Sequence, residues 1–83
     1  MVNEETMMFR FGADENRAAT IIREVTQSME KKGYNPISQM VGYILSGDPT
    51  YVTSFEDARK KIRQLERDEI IEELLRTYLG KTI

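Results

Sequence analysis

The chain contains neither cysteine nor histidine among its 83 residues. The first absence excludes disulfide bonds and thiolate ligands for a metal, and it implies no oxidising compartment. The second removes the usual general base at neutral pH and the usual nitrogen ligand of zinc. We therefore expect a protein that is not an enzyme and that needs no cofactor.

Long apolar runs are missing as well, whereas a helix that crosses a bilayer needs about 20 consecutive apolar residues. The N-terminus lacks the basic start and the apolar core of a signal peptide. We expect a cytoplasmic protein without membrane insertion. So short a chain forms one domain with a limited core, and a homodimer is expected because a second copy would stabilise it.

An apolar stripe with helical spacing predicts a first helix, and its members are Ala18, Ile21, Ile22, Val25 and Met29. Asp14 or Asn16 is a suitable cap for its start, and Gly33 is a suitable end. The residues before this stripe follow neither a helical nor a strand period. We therefore predict a flexible N-terminal tail at residues 1–13 and a helical domain at residues 14–83.

A second helix is predicted to begin after Asn35, because asparagine is a good cap and Pro36 fits the first helical position. Gly47 is predicted to end this helix. Its apolar positions are Ile37, Met40, Val41, Ile44 and Leu45. Their spacing makes one side of this helix strongly apolar, and we therefore expect the helix at the centre of the core.

Thr53 and Ser54 are each followed three residues later by an acid, so that two overlapping capping boxes predict the start of a third helix. The apolar positions beyond it change phase, which predicts a break near residues 67–69. A fourth helix is predicted to end at Gly80. The predicted fold class is all-α, a small bundle of four to five helices.

Three arginines, Arg59, Arg63 and Arg67, recur every four residues and would form a row on one face of a continuous helix. Such guanidinium groups are a natural binding surface for carboxylates or for a phosphate. The alternative is a solvated face on which they pair with neighbouring acids. We take the row as the candidate surface for a protein partner.

Two other functions compete with protein binding. The short helices on either side of Gly47 could form a helix-turn-helix, so a DNA-binding regulator is the alternative function. The net charge of -2 argues against nucleic acid as a partner. A divalent metal could bind the acidic block Asp68, Glu69, Glu72 and Glu73, but no second acidic cluster completes the coordination, and a solvated surface is expected.

Thr6 follows two glutamates in the predicted tail, where a kinase would find an accessible hydroxyl. A phosphate there would add a charge of roughly -1.5 to -2, enough to make or break a contact with arginine. By itself, a single threonine near a terminus is more often an ordinary polar residue.

A long ordered block of residues resembles the IreB/ReoM family of bacterial kinase-controlled regulators. The matching stretches are Lys32-Gly33-Tyr34-Asn35-Pro36-Ile37, Gln39, Val41-Gly42-Tyr43, Ser46-Gly47-Asp48-Pro49, Tyr51, Asp57-Ala58-Arg59, Ile62-Arg63, Leu65-Glu66-Arg67-Asp68-Glu69-Ile70 and Glu72-Glu73-Leu74. Together they cover most of residues 30–79. In the tail, Thr6-Met7-Met8-Phe9 is similar to the threonine motif of the family.

The resemblance implies that Thr6 is phosphorylated by a membrane-anchored Ser/Thr protein kinase that senses the state of the cell wall. It also implies a helical homodimer without catalytic activity. Such a protein controls peptidoglycan precursor synthesis by promoting Clp-protease degradation of an enolpyruvyl transferase until phosphorylation relieves the effect. The implied partners are therefore a kinase and a Clp-linked adaptor or cell-wall enzyme.

This sequence departs from the family pattern in two places. Thr53-Ser54 stands where members commonly carry Pro-Arg, so one basic group near the third helix is missing. Some members also have a second threonine acceptor in the tail, whereas only Thr6 is available here. Any switch is therefore expected to use a single site.

Overall fold

The structure is a computed structural model that describes the backbone of residues 4–80 and the side chains of residues 17–80. This part of the chain contains four α-helices and no strand, which confirms the all-α prediction. The helices are α1 (Glu4–Lys31), α2 (Pro36–Ser46), α3 (Ala58–Ile62) and α4 (Arg67–Leu79), and two 3-10 turns lie at Pro49–Tyr51 and Phe55–Asp57.

The first helix begins earlier than its predicted caps. α1 starts at Glu4 rather than near Asp14 or Asn16, and it ends as predicted, with Gly33 in the left-handed region at φ 87°. The side chains of residues 4–16 lie outside the described part of the structure. The flexible tail at residues 1–13 and the domain boundary behind it stay predictions.

The second helix agrees with its predicted limits. The Asn35 side chain accepts a hydrogen bond from the backbone N–H of Ser38 at 3.1 Å, and Pro36 occupies the first helical position. Gly47 ends the helix with φ 74°, a conformation that costs glycine little because it has no Cβ.

The start of the third helix differs from the prediction. Ser54 makes no side-chain cap, Phe55–Asp57 forms a 3-10 turn, and α3 begins only at Ala58. The predicted capping boxes are wrong because the Glu56 carboxylate, which would have closed one of them, bonds to Ser28 on α1. A contact with a distant helix has replaced a local cap.

The break between the last two helices lies slightly before the predicted residues 67–69. α3 ends at Ile62, and Glu66 opens α4 with a reciprocal capping box that involves Glu69. The Glu69 carboxylate accepts the backbone N–H of Glu66 at 2.7 Å. Gly80 ends α4 with φ 72°, as predicted.

The core is built on the apolar stripe of α1. Val25 and Met29 are fully buried, and α1 contacts α2, α3 and α4. The other fully buried hydrophobic residues are Val52, Ala58, Ile62 and Ile70. The stripe predicted from sequence therefore forms the surface on which the later helices pack.

The second helix is less central to the core than predicted. It buries Met40 and Tyr43, but Ile37 and Leu45 remain 75% and 79% exposed. This helix of 11 residues therefore leaves three of its apolar side chains, those of Ile37, Val41 and Leu45, exposed to solvent.

Candidate functional site

Basic side chains line a small depression beside α3. Ser54, Asp57, Arg59, Lys60 and Arg63 surround a volume of about 210 Å³, which we call the cationic depression. Three of these five residues are cationic and one is acidic. A surface of this composition favours a ligand that presents carboxylate or phosphate oxygens.

Arg59 is held in place by the backbone of the preceding loop. Its Nε donates hydrogen bonds to the carbonyl oxygens of Pro49 at 3.1 Å and Val52 at 2.9 Å. These bonds leave the two terminal nitrogens of the guanidinium group, which can form paired hydrogen bonds with an oxyanion. Since the side chain is half-buried and fixed at Nε, it loses little freedom on binding.

Arg63 lies in the same depression but has a different environment. It follows the last residue of α3, and its side chain is exposed. Among the side chains described for residues 17–80, none forms a hydrogen bond or an ion pair with its guanidinium group. Arg63 is therefore the adjustable cation of the depression, and Arg59 is the fixed one.

Arg67 stands apart from the other two arginines. Its Nη1 donates to the carbonyl oxygen of Ile44 at 2.9 Å, and its guanidinium group covers Gly47, where an added Cβ would lie 2.9 Å from Cζ. It thereby satisfies a carbonyl group at the C-terminal end of α2. The three arginines do not share one helix, because α3 ends before Arg63, and the partner-binding role of Arg67 stays a prediction.

Replacement of Arg67 by alanine is expected to lower the free energy of unfolding by about 1 kcal/mol, because a carbonyl at the end of α2 loses its donor. Arg63→Ala removes the same charge without breaking a described bond, and its effect should stay within about 0.5 kcal/mol. Urea unfolding followed by circular dichroism measures both values. An equal loss in the two variants would contradict the structural role given to Arg67.

A strained corner of the backbone precedes α3. Glu56 and Asp57 have φ values of 55° and 62°, the left-handed region that costs a residue with a side chain roughly 1–2 kcal/mol. The Glu56 carboxylate accepts hydrogen bonds from Ser28 Oγ at 2.7 Å and from Lys31 Nζ at 3.1 Å. Ser28 is only 2% exposed, and it is the one buried polar residue among the described side chains.

These contacts lower the pKa of Glu56 from its ordinary value of 4.5, with the Ser28 hydrogen bond as the main cause and Lys31 as the second. A carboxyl group whose pKa is lowered by folding contributes stability above its unfolded pKa. That contribution is lost as the pH falls through the folded pKa. The relevant window therefore lies below 4.5.

We expect the wild-type protein to be more stable than Glu56→Gln at about pH 6, and the difference to shrink as the pH falls to about 3. Urea unfolding at low ionic strength across this range measures it. Asp48, whose pKa is lowered by Thr50, titrates in both proteins. The difference between their free energies of unfolding therefore reports on Glu56 and not on Asp48. A difference that is constant with pH would contradict the role of the charge.

Two of the four acids of the fourth helix make hydrogen bonds within the helix or at its start. Glu69 closes the capping box, and Glu73 accepts hydrogen bonds from Arg76 at 3.2 Å and Thr77 at 3.1 Å. Among the described residues, no group of three acids is arranged to hold a metal ion. Glu69 and Glu73 of the acidic block are therefore engaged in contacts within α4 and at its start.

The geometry also weighs against the DNA-binding alternative. The helix that would follow the turn after α2 is α3, and it has only five residues. A recognition helix needs several side chains along one face to reach the bases of the major groove. Moreover, Arg67 donates through Nη1 to a backbone carbonyl of the protein itself.

An apolar surface that sequence analysis assigned to the core lies open between α2 and α4. On α2, Ile37, Val41 and Leu45 follow at intervals of four residues and are exposed. A groove of about 220 Å³ with an apolar lining joins Ile37 and Val41 to Leu74 on α4. A second groove, of about 370 Å³, continues from Leu74 to Tyr78. We call these surfaces together the apolar face.

The apolar face is large for so small a protein. Tyr78 is 86% exposed, and Ile71, Leu75 and Leu79 on the same helix are also exposed. Contiguous apolar surface of this kind usually marks a contact with another polypeptide. The helical period was visible in the sequence, but it could not tell which apolar positions α1 would leave uncovered.

The predicted phosphorylation site lies outside the described side chains. Thr6 falls within the limits of α1, where the structure describes the backbone but not the side chains. Its role as a phosphate acceptor stays a prediction.

Within the described residues, no helix has the length and apolar character required to cross a bilayer.

An all-α chain with one cationic and one apolar surface has the features of a protein that acts through contacts with other polypeptides. The chain belongs to the IreB regulatory phosphoprotein family, whose model matches residues 4–80. It is 58% identical over 76 residues to a UPF0297 protein of Ruminiclostridium cellulolyticum, covering 90% of this chain and 86% of that relative. It is 54% identical over 84 aligned positions to a UPF0297 protein of Acetivibrio thermocellus, covering 100% and 93%.

Proposed function

We propose that this regulatory phosphoprotein acts without catalysis, as a cytoplasmic adaptor whose contact with a protein partner changes when a Ser/Thr kinase phosphorylates Thr6. The observation that carries the proposal is the pairing of a fixed Arg59 with an adjustable Arg63 in one depression. Family membership supports the regulatory role. The resemblance described above further supports control of peptidoglycan precursor synthesis as the process.

The electrostatics of the depression give phosphorylation a means to act. A phosphothreonine carries a charge of roughly -1.5 to -2 and three acceptor oxygens, so it competes well for arginine. In the unphosphorylated protein, the same guanidinium groups are available to carboxylates of a partner. Addition of the phosphate then weakens capture, either by occupying the depression or by repelling an acidic partner.

The first test is incubation of the full chain with ATP and the catalytic domain of the host Ser/Thr kinase. We expect phosphate incorporation in the wild-type protein and in the control Thr77→Ala, and loss of incorporation in Thr6→Ala. Intact-mass spectrometry measures the added phosphate. Undiminished incorporation in Thr6→Ala would refute the site.

The second test measures how well the immobilised full chain captures the host enolpyruvyl transferase, with and without the Clp-linked adaptor. Arg63→Ala should weaken capture by about tenfold, the effect of losing one charge-assisted hydrogen bond of about 1.4 kcal/mol. Lys32→Ala removes the same charge outside the depression and should capture as well as the wild type. Unchanged capture by Arg63→Ala would remove the depression from the proposal.

The homodimer belongs to the same proposal, with a second copy as the occupant of the apolar face. The helices that form this face present apolar residues on both sides of a groove, a surface that can pair with itself about a two-fold axis. Ile37 and Leu45 would then leave solvent, which compensates for the limited core of a chain of 83 residues.

A charge introduced on the exposed apolar row of α2 should separate the copies. We expect Leu45→Glu to sediment as a monomer at micromolar concentration, because a buried carboxylate without a partner is costly. The control Gln27→Glu adds the same charge on an exposed position of α1 and should sediment like the wild type. Analytical ultracentrifugation distinguishes the two forms, and a wild-type monomer would contradict the proposed dimer.

A further inference from the structure

The strained corner at Glu56 and Asp57 lies directly before the residues of the cationic depression. Asp57 itself lines the depression, and Arg59 follows two residues later. Both left-handed residues lie within the 3-10 turn that leads directly into α3. Near the start of α3, Arg59 Nε donates to the carbonyl oxygens of Pro49 and Val52, so the backbone of this turn helps to set where the arginine starts.

Local contacts do not account for this conformation. Ser54 supplies only a backbone carbonyl to the corner, accepting the N–H of Asp57 at 3.1 Å. Two consecutive residues with side chains in the left-handed region persist only where surrounding structure holds them. The described contact that reaches the corner from elsewhere in the fold is the Glu56 carboxylate with Ser28 and Lys31 of α1.

The Ser28 contact is well suited to fix a position. Ser28 is buried and precedes the fully buried Met29 in α1, so its hydroxyl has little freedom to move. The 2.7 Å hydrogen bond has a charged acceptor, which makes it stronger than one between neutral groups. Lys31 holds the second carboxylate oxygen from the exposed side.

We infer that Glu56 is a positioning residue for the cationic depression, and that its bond to Ser28 fixes the corner so that Arg59 and Arg63 face an oxyanion of the partner together. The inference rests on the proposed function and adds a residue that has no contact with the partner. An arginine pair held in the binding geometry before the partner arrives loses less freedom when it binds.

Four variants of the full chain test this inference. Ser28→Ala removes the buried donor, and Glu56→Gly removes the carboxylate while giving the corner a residue that adopts φ 55° without strain, so the chain still folds. The control Glu24→Gln breaks a different ion pair of α1, that of Glu24 with Lys61 on α3 at 3.4 Å. Arg63→Ala removes a cation of the depression and tests whether the depression takes part in capture.

Two measurements are made on each variant. The first is hydrogen exchange of the Arg59 Nε–H by nuclear magnetic resonance, which reports its bonds to Pro49 and Val52. The second is capture of the purified enolpyruvyl transferase. Backbone amides of Val25 and Met29 are followed in the same spectra, because general destabilisation would accelerate their exchange as well.

In Ser28→Ala and Glu56→Gly, we expect Arg59 Nε–H exchange to accelerate at least about tenfold, clearly more than exchange of the core amides, and capture to weaken by about fivefold, since one hydrogen bond is lost. Glu24→Gln should match the wild type in both measurements. Exchange at Arg59 that stays at the wild-type rate in both variants would overturn the inference.

Accelerated exchange with wild-type capture, while Arg63→Ala loses capture, would also overturn it, because the corner would then not matter to the partner. If Arg63→Ala retains full capture, the proposed function has failed instead. In that event exchange at Arg59 alone decides whether Glu56 positions the arginine.

Discussion

Burial of the apolar stripe of α1 is the constraint on which the rest of this small fold depends. Val25 and Met29 have no exposed surface, and Ile62 and Ile70 from the last two helices pack into the same cluster. A chain of 83 residues cannot build a second core, so each later α-helix is placed by its contact with this one helix. The cationic depression and the apolar face are both consequences of that arrangement.

The same constraint explains why two surfaces remain. α1 covers Met40 and Tyr43 of α2 but not Ile37 or Leu45, because an apolar arc wider than the contact cannot be buried by one helix. On the other side, α3 is held close to α1 by Ala58 and Ile62, and its short length leaves its basic residues at the surface. The apolar face and the cationic depression thus both result from the way α2 and α3 pack on α1.

Sequence reasoning succeeded where the structure is decided locally. The limits of α2 follow from Asn35, Pro36 and Gly47, and each acts on its immediate neighbours. Reasoning failed at Thr53 and Ser54 because a carboxylate that fits a capping box found a buried hydroxyl 28 residues away in the chain. The cap at Glu66 was missed because glutamate is not among the residues usually favoured there, although its partner Glu69 was in the expected place.

The arginines show most directly why function could be predicted only in part. Their spacing of four residues predicted a common helical face, but two of them donate to backbone carbonyls and so belong partly to the fold. Periodicity gives the direction of a side chain on an ideal helix. It cannot give the partner that a long, flexible cation finds after a helix break. A guanidinium group held through Nε can be both a structural donor and a binding group, because its two terminal nitrogens take no part in the Nε bonds. The proposed partner surface therefore centres on Arg59 and Arg63, which line one depression together with Asp57 of the strained corner.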